Sequence, residues 1–176
     1  MLRKSILVML LVLSATAAQA KPAEIAPVIK ATEPQGKGAL SWMWLTAYHA
    51  ELWTDQPVGE GALPAPPYAL SIVYDMDFTA DELLDRSIEE MDKAQSLSDA
   101  EKKTYSAQLA AVIPAVKKGD RITALRDAAK QVVMYHNGTQ TGVLADAVLA
   151  DRFLGIWLAP TTSEPKLRMA LLGLEP

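Results

Sequence analysis

The stretch GKGALSWMWLTAYHAELW, residues 36–53, decides what kind of fold this chain makes. Leu40, Trp42 and Trp44 occupy one set of alternating positions and Ser41, Met43 and Leu45 the other, with aromatic and branched residues throughout. That alternation predicts a long strand, or two strands joined by a bend, partly buried on both faces. Upstream, over 21–35, prolines at 22, 27 and 34 and the absence of any period predict an irregular arm leading into the fold. Downstream, the glycines and prolines between Asp55 and Pro67 read as a loop. Tyr68 to Phe78 follows as a second strand, with Leu70, Ile72, Tyr74 and Met76 on one side.

Helix signals come next. Thr79 precedes Glu82 by three residues and Ser98 precedes Glu101 by three, so each pair is a capping box that starts a helix. Leu83, Leu84, Ile88 and Met91 make the apolar stripe of the first, and Tyr105, Leu109, Val112 and Ile113 that of the second, which Pro114 ends or kinks. Their opposite faces are charged, so both helices are expected to cover one side of a sheet and face water on the other. Gly119-Asp120 then turns into a short strand, Arg121 to Leu125. Asn137-Gly138, set between Gln131–His136 and Gly142–Leu144, predicts a tight hairpin, because both central residues of such a turn take positive φ. Helical spacing returns from Asp146 to Leu158. A last helix runs from Ser163, expected as its cap, through Pro165 to Gly173. The order of strands, two helices, three strands and two helices predicts an α+β fold: an open-faced, mainly antiparallel sheet with helices on one face.

The N-terminus reads as a leader. Arg3 and Lys4 precede an apolar run from Ile6 to Leu13, and small residues follow to Ala18-Gln19-Ala20, the pattern of a cleaved secretory signal over residues 1–20. The run is too short to span a bilayer, which takes about 20 residues; a retained anchor is the competing reading. Without the leader the 17 basic residues of the chain fall to 15 against 21 acidic ones, a net charge of −6. That balance speaks against nucleic acid or an anionic membrane as partner. The absence of cysteine excludes disulfides, thiolate metal sites and a cysteine nucleophile. The expectation is an exported periplasmic protein of one domain, residues 36–176, with no membrane span after processing.

Motifs of chemistry are scarce, and none asks for a cofactor or metal. His49 and His136 lie far apart in sequence and read as solvated. Ser71 and Ser87 lack a nucleophile-elbow context, and the GKG at Gly36 lacks the helix a phosphate loop needs. Asp120 beside Arg121 reads as an acid with its partner or as turn chemistry. Aromatic bulk on the expected strands reads mostly as core, yet an open sheet under two helices also encloses an elongated apolar pocket. Tyr48, Tyr74, Tyr135 and Arg121 are then the candidates for holding the polar end of an acyl chain or a phenolic ligand.

Four blocks in fixed order add a resemblance: residues 36–53, KKGDRITAL from Lys117, VVMYHNGTQTG from Val132 and FLGIWLAPTTSEPKLRMALLG from Phe153. Together they resemble the bacterial chalcone-isomerase-like family, relatives of the plant enzymes that cyclise a chalcone to a flavanone without cofactor. The resemblance covers Gly36 to Gly173 and implies an open-faced sheet with a helical layer. It also implies what is missing. Where the enzymes carry a catalytic arginine, hand alignment places Leu40 or Ser41, and Thr79 to Ala94, where they carry a tyrosine, contains none. No catalytic residue is therefore carried over. Since the non-catalytic relatives include fatty-acid-binding proteins, the resemblance implies a binder of a fatty acid or similar apolar molecule. An isomerase working through Tyr48, Tyr74 or Arg121, and an accessory interaction protein of an envelope lipid pathway, are the other two readings.

Overall fold

Six strands follow one another across a single antiparallel sheet in sequence order: β1 Gly36–Trp42, β2 Leu45–Thr54, β3 Tyr68–Tyr74, β4 Arg121–Arg126, β5 Val132–His136 and β6 Thr139–Leu144. Every neighbouring pair is antiparallel. The computed structural model describes residues 20–61 and 63–174, so the expected leader lies, apart from Ala20, outside them. Helices α1 (Ala80–Ala94) and α2 (Asp99–Ala110) connect β3 to β4, while α3 (Ala147–Leu158) and α4 (Pro165–Leu172) close the chain. The fold is thus the expected α+β type.

Local chemistry accounts for most element ends. Both capping boxes form: Thr79 and Ser98 accept from the backbone N–H of Glu82 and Glu101, whose carboxylates accept in return from the cap backbones. The α2 helix stops at Ala110, and Val112 and Ile113 pack below it in a turn before Pro114. Asn137 (φ 50°) and Gly138 (φ 83°) make the tight β5–β6 turn. The first strand region is two strands, β1 and β2, joined by the two-residue turn Met43-Trp44. One cap differs from expectation. Residue Glu164, not Ser163, precedes α4; its N–H donates to Thr162 Oγ1. The Ser163 hydroxyl donates instead to the buried carboxylate of Glu90, because a charged acceptor is the stronger partner.

Alternation along the strands gives the sheet two faces. The front carries Ala50, Leu52, Leu70, Ile72, Ala124 and Met134 and packs with Met91 of α1, Leu109 of α2, Phe153 of α3 and Leu171 of α4 in one apolar cluster. Helix α4 crosses β1 so closely that a Cβ on Gly36 would strike the Ala170 carbonyl and one on Gly38 the Leu167 side chain. The two glycines of the GKG motif are there for that approach. The buried Arg126 guanidinium ties β4 to α3 through Asp151 at 2.5 Å and also donates to the Lys130 carbonyl.

The back face is covered by the arm. Its 3₁₀ turn, Ala23–Ile25, places Ile25 and Ile29 fully out of water against Trp53, Ala69 and Leu125. Asp55 Oδ1 and Oδ2 accept from the Lys30 N–H and Oδ1 also from that of Ala31, while Gln35 N–H joins the Leu52 carbonyl, so the arm is anchored at both ends. The irregular geometry expected of 21–35 is therefore part of a packed layer rather than a loose lead-in.

Candidate functional site

Between the front of the sheet and the helices lies a cavity of about 680 Å³. Its floor is Leu40 of β1, Tyr48 of β2, Ile72 and Tyr74 of β3, Ala124 of β4 and Met134 of β5; its roof is Leu83 and Ser87 of α1 with Phe153, Ile156 and Trp157 of α3. The volume falls in the range of small-molecule sites, roughly 300–1,000 Å³. The lining is overwhelmingly apolar, which favours a ligand that brings little hydrogen-bonding demand of its own.

Polar groups are few and include three carboxylates, those of Glu82, Glu90 and Glu164. Trp157 Nε1 donates to the Tyr48 hydroxyl at 2.8 Å, which leaves the Tyr48 proton free to be donated onward. Burial pushes Tyr48 up to about 12, with the Trp157 hydrogen bond opposing that rise and the Glu164 charge adding to it, so the phenol stays neutral at physiological pH. Tyr74 lies edge-on to Tyr48 at 5.8 Å and to Phe78 at 5.7 Å. Burial holds its hydroxyl well above the usual range too, so it also faces the cavity as a neutral donor. Arg86 stands at the mouth, 2.8 Å from Glu90 Oε1 and 3.1 Å from Glu89 Oε2, and is the cation among the lining residues described. Glu90 is buried and also receives Ser163 Oγ and, at 3.2 Å, Lys93 Nζ.

The four candidates of the sequence divide between the faces. Tyr48 and Tyr74 line the cavity together. Arg121 and Tyr135 lie on the other side of the sheet, Tyr135 against the cluster under the arm. In β4 the cavity-facing residues are Ile122 and Ala124, so Arg121 and Thr123 point to the back. Arg121 does meet a carboxylate there, that of the chain's own Glu24 at 3.6 Å, and Thr123 Oγ1 donates to the same group at 2.7 Å. An ion pair on the back of the sheet cannot reach a ligand on the front.

Sequence reasoning missed Arg86, Glu90 and Trp157. The first two lay in the charged face taken as solvated, although their i, i+4 spacing with the apolar stripe beside them was the available signal. The histidines are engaged rather than merely solvated: His49 Nε2 lies 3.0 Å from Asp75 and His136 Nε2 3.1 Å from Asp120. Asp120 caps the turn, accepting from Lys117 N–H and Asn137 Nδ2. Among the described residues no group of three or more His, Asp or Glu could hold a metal ion.

A family model described as chalcone isomerase-like matches residues 33–173. The chain belongs to the chalcone isomerase-like family. The crystal structure of a fatty-acid binding protein from Arabidopsis thaliana is similar in fold, with a TM-score of 0.54 over 79% of this chain and 85% of that one at 13% identity. No curated protein matches the sequence. In this chalcone isomerase-like chain, Leu40 projects into the cavity. Ser41, next along the strand, is off the cavity, its hydroxyl paired with Thr46 at 3.1 Å.

Proposed function

We propose that this protein binds one fatty acid or similar apolar chain between sheet and helices, without turning it over, and that it does so in the periplasm after removal of the leader. The observation that carries the reading is the cavity: about 680 Å³ of apolar volume with its polar groups gathered around Tyr48, Arg86 and Glu90. A chain in that space removes its methylenes from water at about 0.8 kcal/mol each. Its polar end meets the neutral phenols of Tyr48 and Tyr74 and the Arg86 guanidinium, which it shares with the carboxylates of Glu89 and Glu90. Where the resemblance implies the enzymes' arginine, this chain carries Leu40 or Ser41, and the strand residues lining the cavity include no cation to stabilise charge, which speaks against catalysis. The fatty-acid binding protein of similar fold supports the chemistry of the ligand.

Native mass spectrometry of the purified protein, with extraction of whatever copurifies, tests this first. One lipid per chain is the expected result. An empty protein whose melting temperature is unmoved by acyl chains of graded length and by flavonoids sinks the proposal. Head-group recognition has its own check. Arg86→Gln is expected to weaken a fatty acid about tenfold, since a charge-assisted hydrogen bond is lost. Affinity for the matching fatty alcohol should not change.

A further inference from the structure

Among the described residues the three most exposed large apolar side chains, those of Trp44, Trp42 and Met43, sit together at one hairpin tip, with Leu45 next to them. Trp42 is 77% exposed, Met43 70%, Trp44 80% and Leu45 47%. From Ala39 to Ala50 there is no Asp, Glu, Lys or Arg, and the two titratable side chains, Tyr48 and His49, lie beyond the turn, so the tip Trp42–Leu45 carries no charge. Met43 takes φ 56° as the first central residue of a two-residue turn, with Trp44 outside the left-handed region. Glycine is the residue suited to that position, and asparagine or glycine would also keep the turn soluble. The β5–β6 turn of this same sheet uses Asn137-Gly138. Folding therefore does not explain Trp-Met-Trp at this turn.

Position supplies the reason. Trp42 and Leu45, exposed on their outer sides, also line the cavity, as does the 37%-exposed Met76 beside them. Apolar surface thus runs unbroken from solvent into the ligand space. We propose that the β1–β2 tip inserts into the interfacial layer of a lipid bilayer and that an acyl chain passes between bilayer and cavity along Trp42 and Leu45. Tryptophan suits that layer because its ring is amphipathic. The uncharged tip and the acidic excess of the chain make attachment hydrophobic, so it needs no anionic lipid and resists salt. The use of the tip rests on the proposed function above, whereas attachment itself does not.

The test uses protein purified from bacteria expressing the full chain, its N-terminus read by mass spectrometry, and vesicles of phosphatidylcholine. Co-sedimentation, unchanged by salt or by added phosphatidylglycerol, and quenching of tryptophan emission by brominated lipid are expected. Trp42→Ser with Trp44→Ser should weaken attachment about a hundredfold, tenfold for each ring withdrawn from the lipid. Trp42 is 77% and Trp44 80% exposed, so the thermal melt of that variant should stay within a few degrees of the parent's. Filling the cavity with Ala124→Phe, or with Leu83→Trp should the first fold poorly, should abolish chain uptake and leave vesicle binding intact. That outcome separates the two proposals. Attachment is overturned if the parent stays in the supernatant, if the double variant sediments equally well, or if the rings instead bury in a dimer that the double variant dissolves.

Discussion

The two faces of one sheet meet different covers, and the contrast explains where the ligand space comes from. On the back, an arm that is irregular apart from one 3₁₀ turn lies against the strands: Ile25 and Ile29 are fully buried, and Glu24 of the arm reaches Arg121 and Thr123. On the front, four helices cover the same strands and leave a cavity of about 680 Å³. An irregular segment adjusts residue by residue to the surface under it. A helix is a rod about 10 Å across, and rods laid on a twisted sheet touch it along part of their length and part from it elsewhere. Aromatic side chains such as Tyr48, Tyr74 and Trp157 stand at that parting rather than closing it.

The largest expected effect breaks the sealed face. Ile25→Ala or Ile29→Ala removes a fully buried side chain from the cluster under the arm and should cost about 2–5 kcal/mol. Thermal melts should show that as a fall on the order of 10 °C for a chain of this size, with ligand affinity unchanged once the protein is folded. The open face should respond in the opposite sense. Ala124→Phe adds volume where space already exists, so its stability change should stay within about 1.5 kcal/mol while acyl-chain binding disappears in a displacement titration. Equal destabilisation by both substitutions would mean that the front is packed like the back.

The smallest effect concerns charge on the sealed side. Glu51 lies on the back strand face, and burial pushes its carboxyl above the usual range against the opposing hydrogen bond from Trp53 Nε1. A raised folded value means that the protonated form is favoured in the fold. The associated stability is present below the ordinary carboxylate range and is lost as pH rises through the folded value. Glu51→Gln should therefore raise the melting temperature at pH 7, and the gain should vanish in melts run at acid pH. A gain of the same size at both pH values would trace it to something other than the charge.

Several features were legible because they depend on neighbours in sequence. The boxes Thr79/Glu82 and Ser98/Glu101 cap their helices through bonds spanning three residues, and Asn137-Gly138 turns because those two residues accept positive φ. The Tyr68–Phe78 strand was read too long, since ladder pairing ends at Tyr74 and Phe78 pairs alone with Val116. Trp42 and Trp44 were counted among mostly core aromatics, and both are exposed, because a pattern of apolar residues does not reveal that the strand outruns its helical cover.

The sequence by itself determined the α+β class, the order of strands and helices and the family resemblance, because caps, turns and periods are contracts between residues a few positions apart. Only the tertiary structure decided which side of each strand meets the cavity. Alternation says that Arg121 and Thr123 share a face, but register and the choice of cover assign that face to the arm and give Tyr48 and Tyr74 to the ligand space. It also brought Ser163, which precedes α4, onto Glu90 of α1, 73 residues away, a meeting set by how helices pack on a sheet and written in no local pattern.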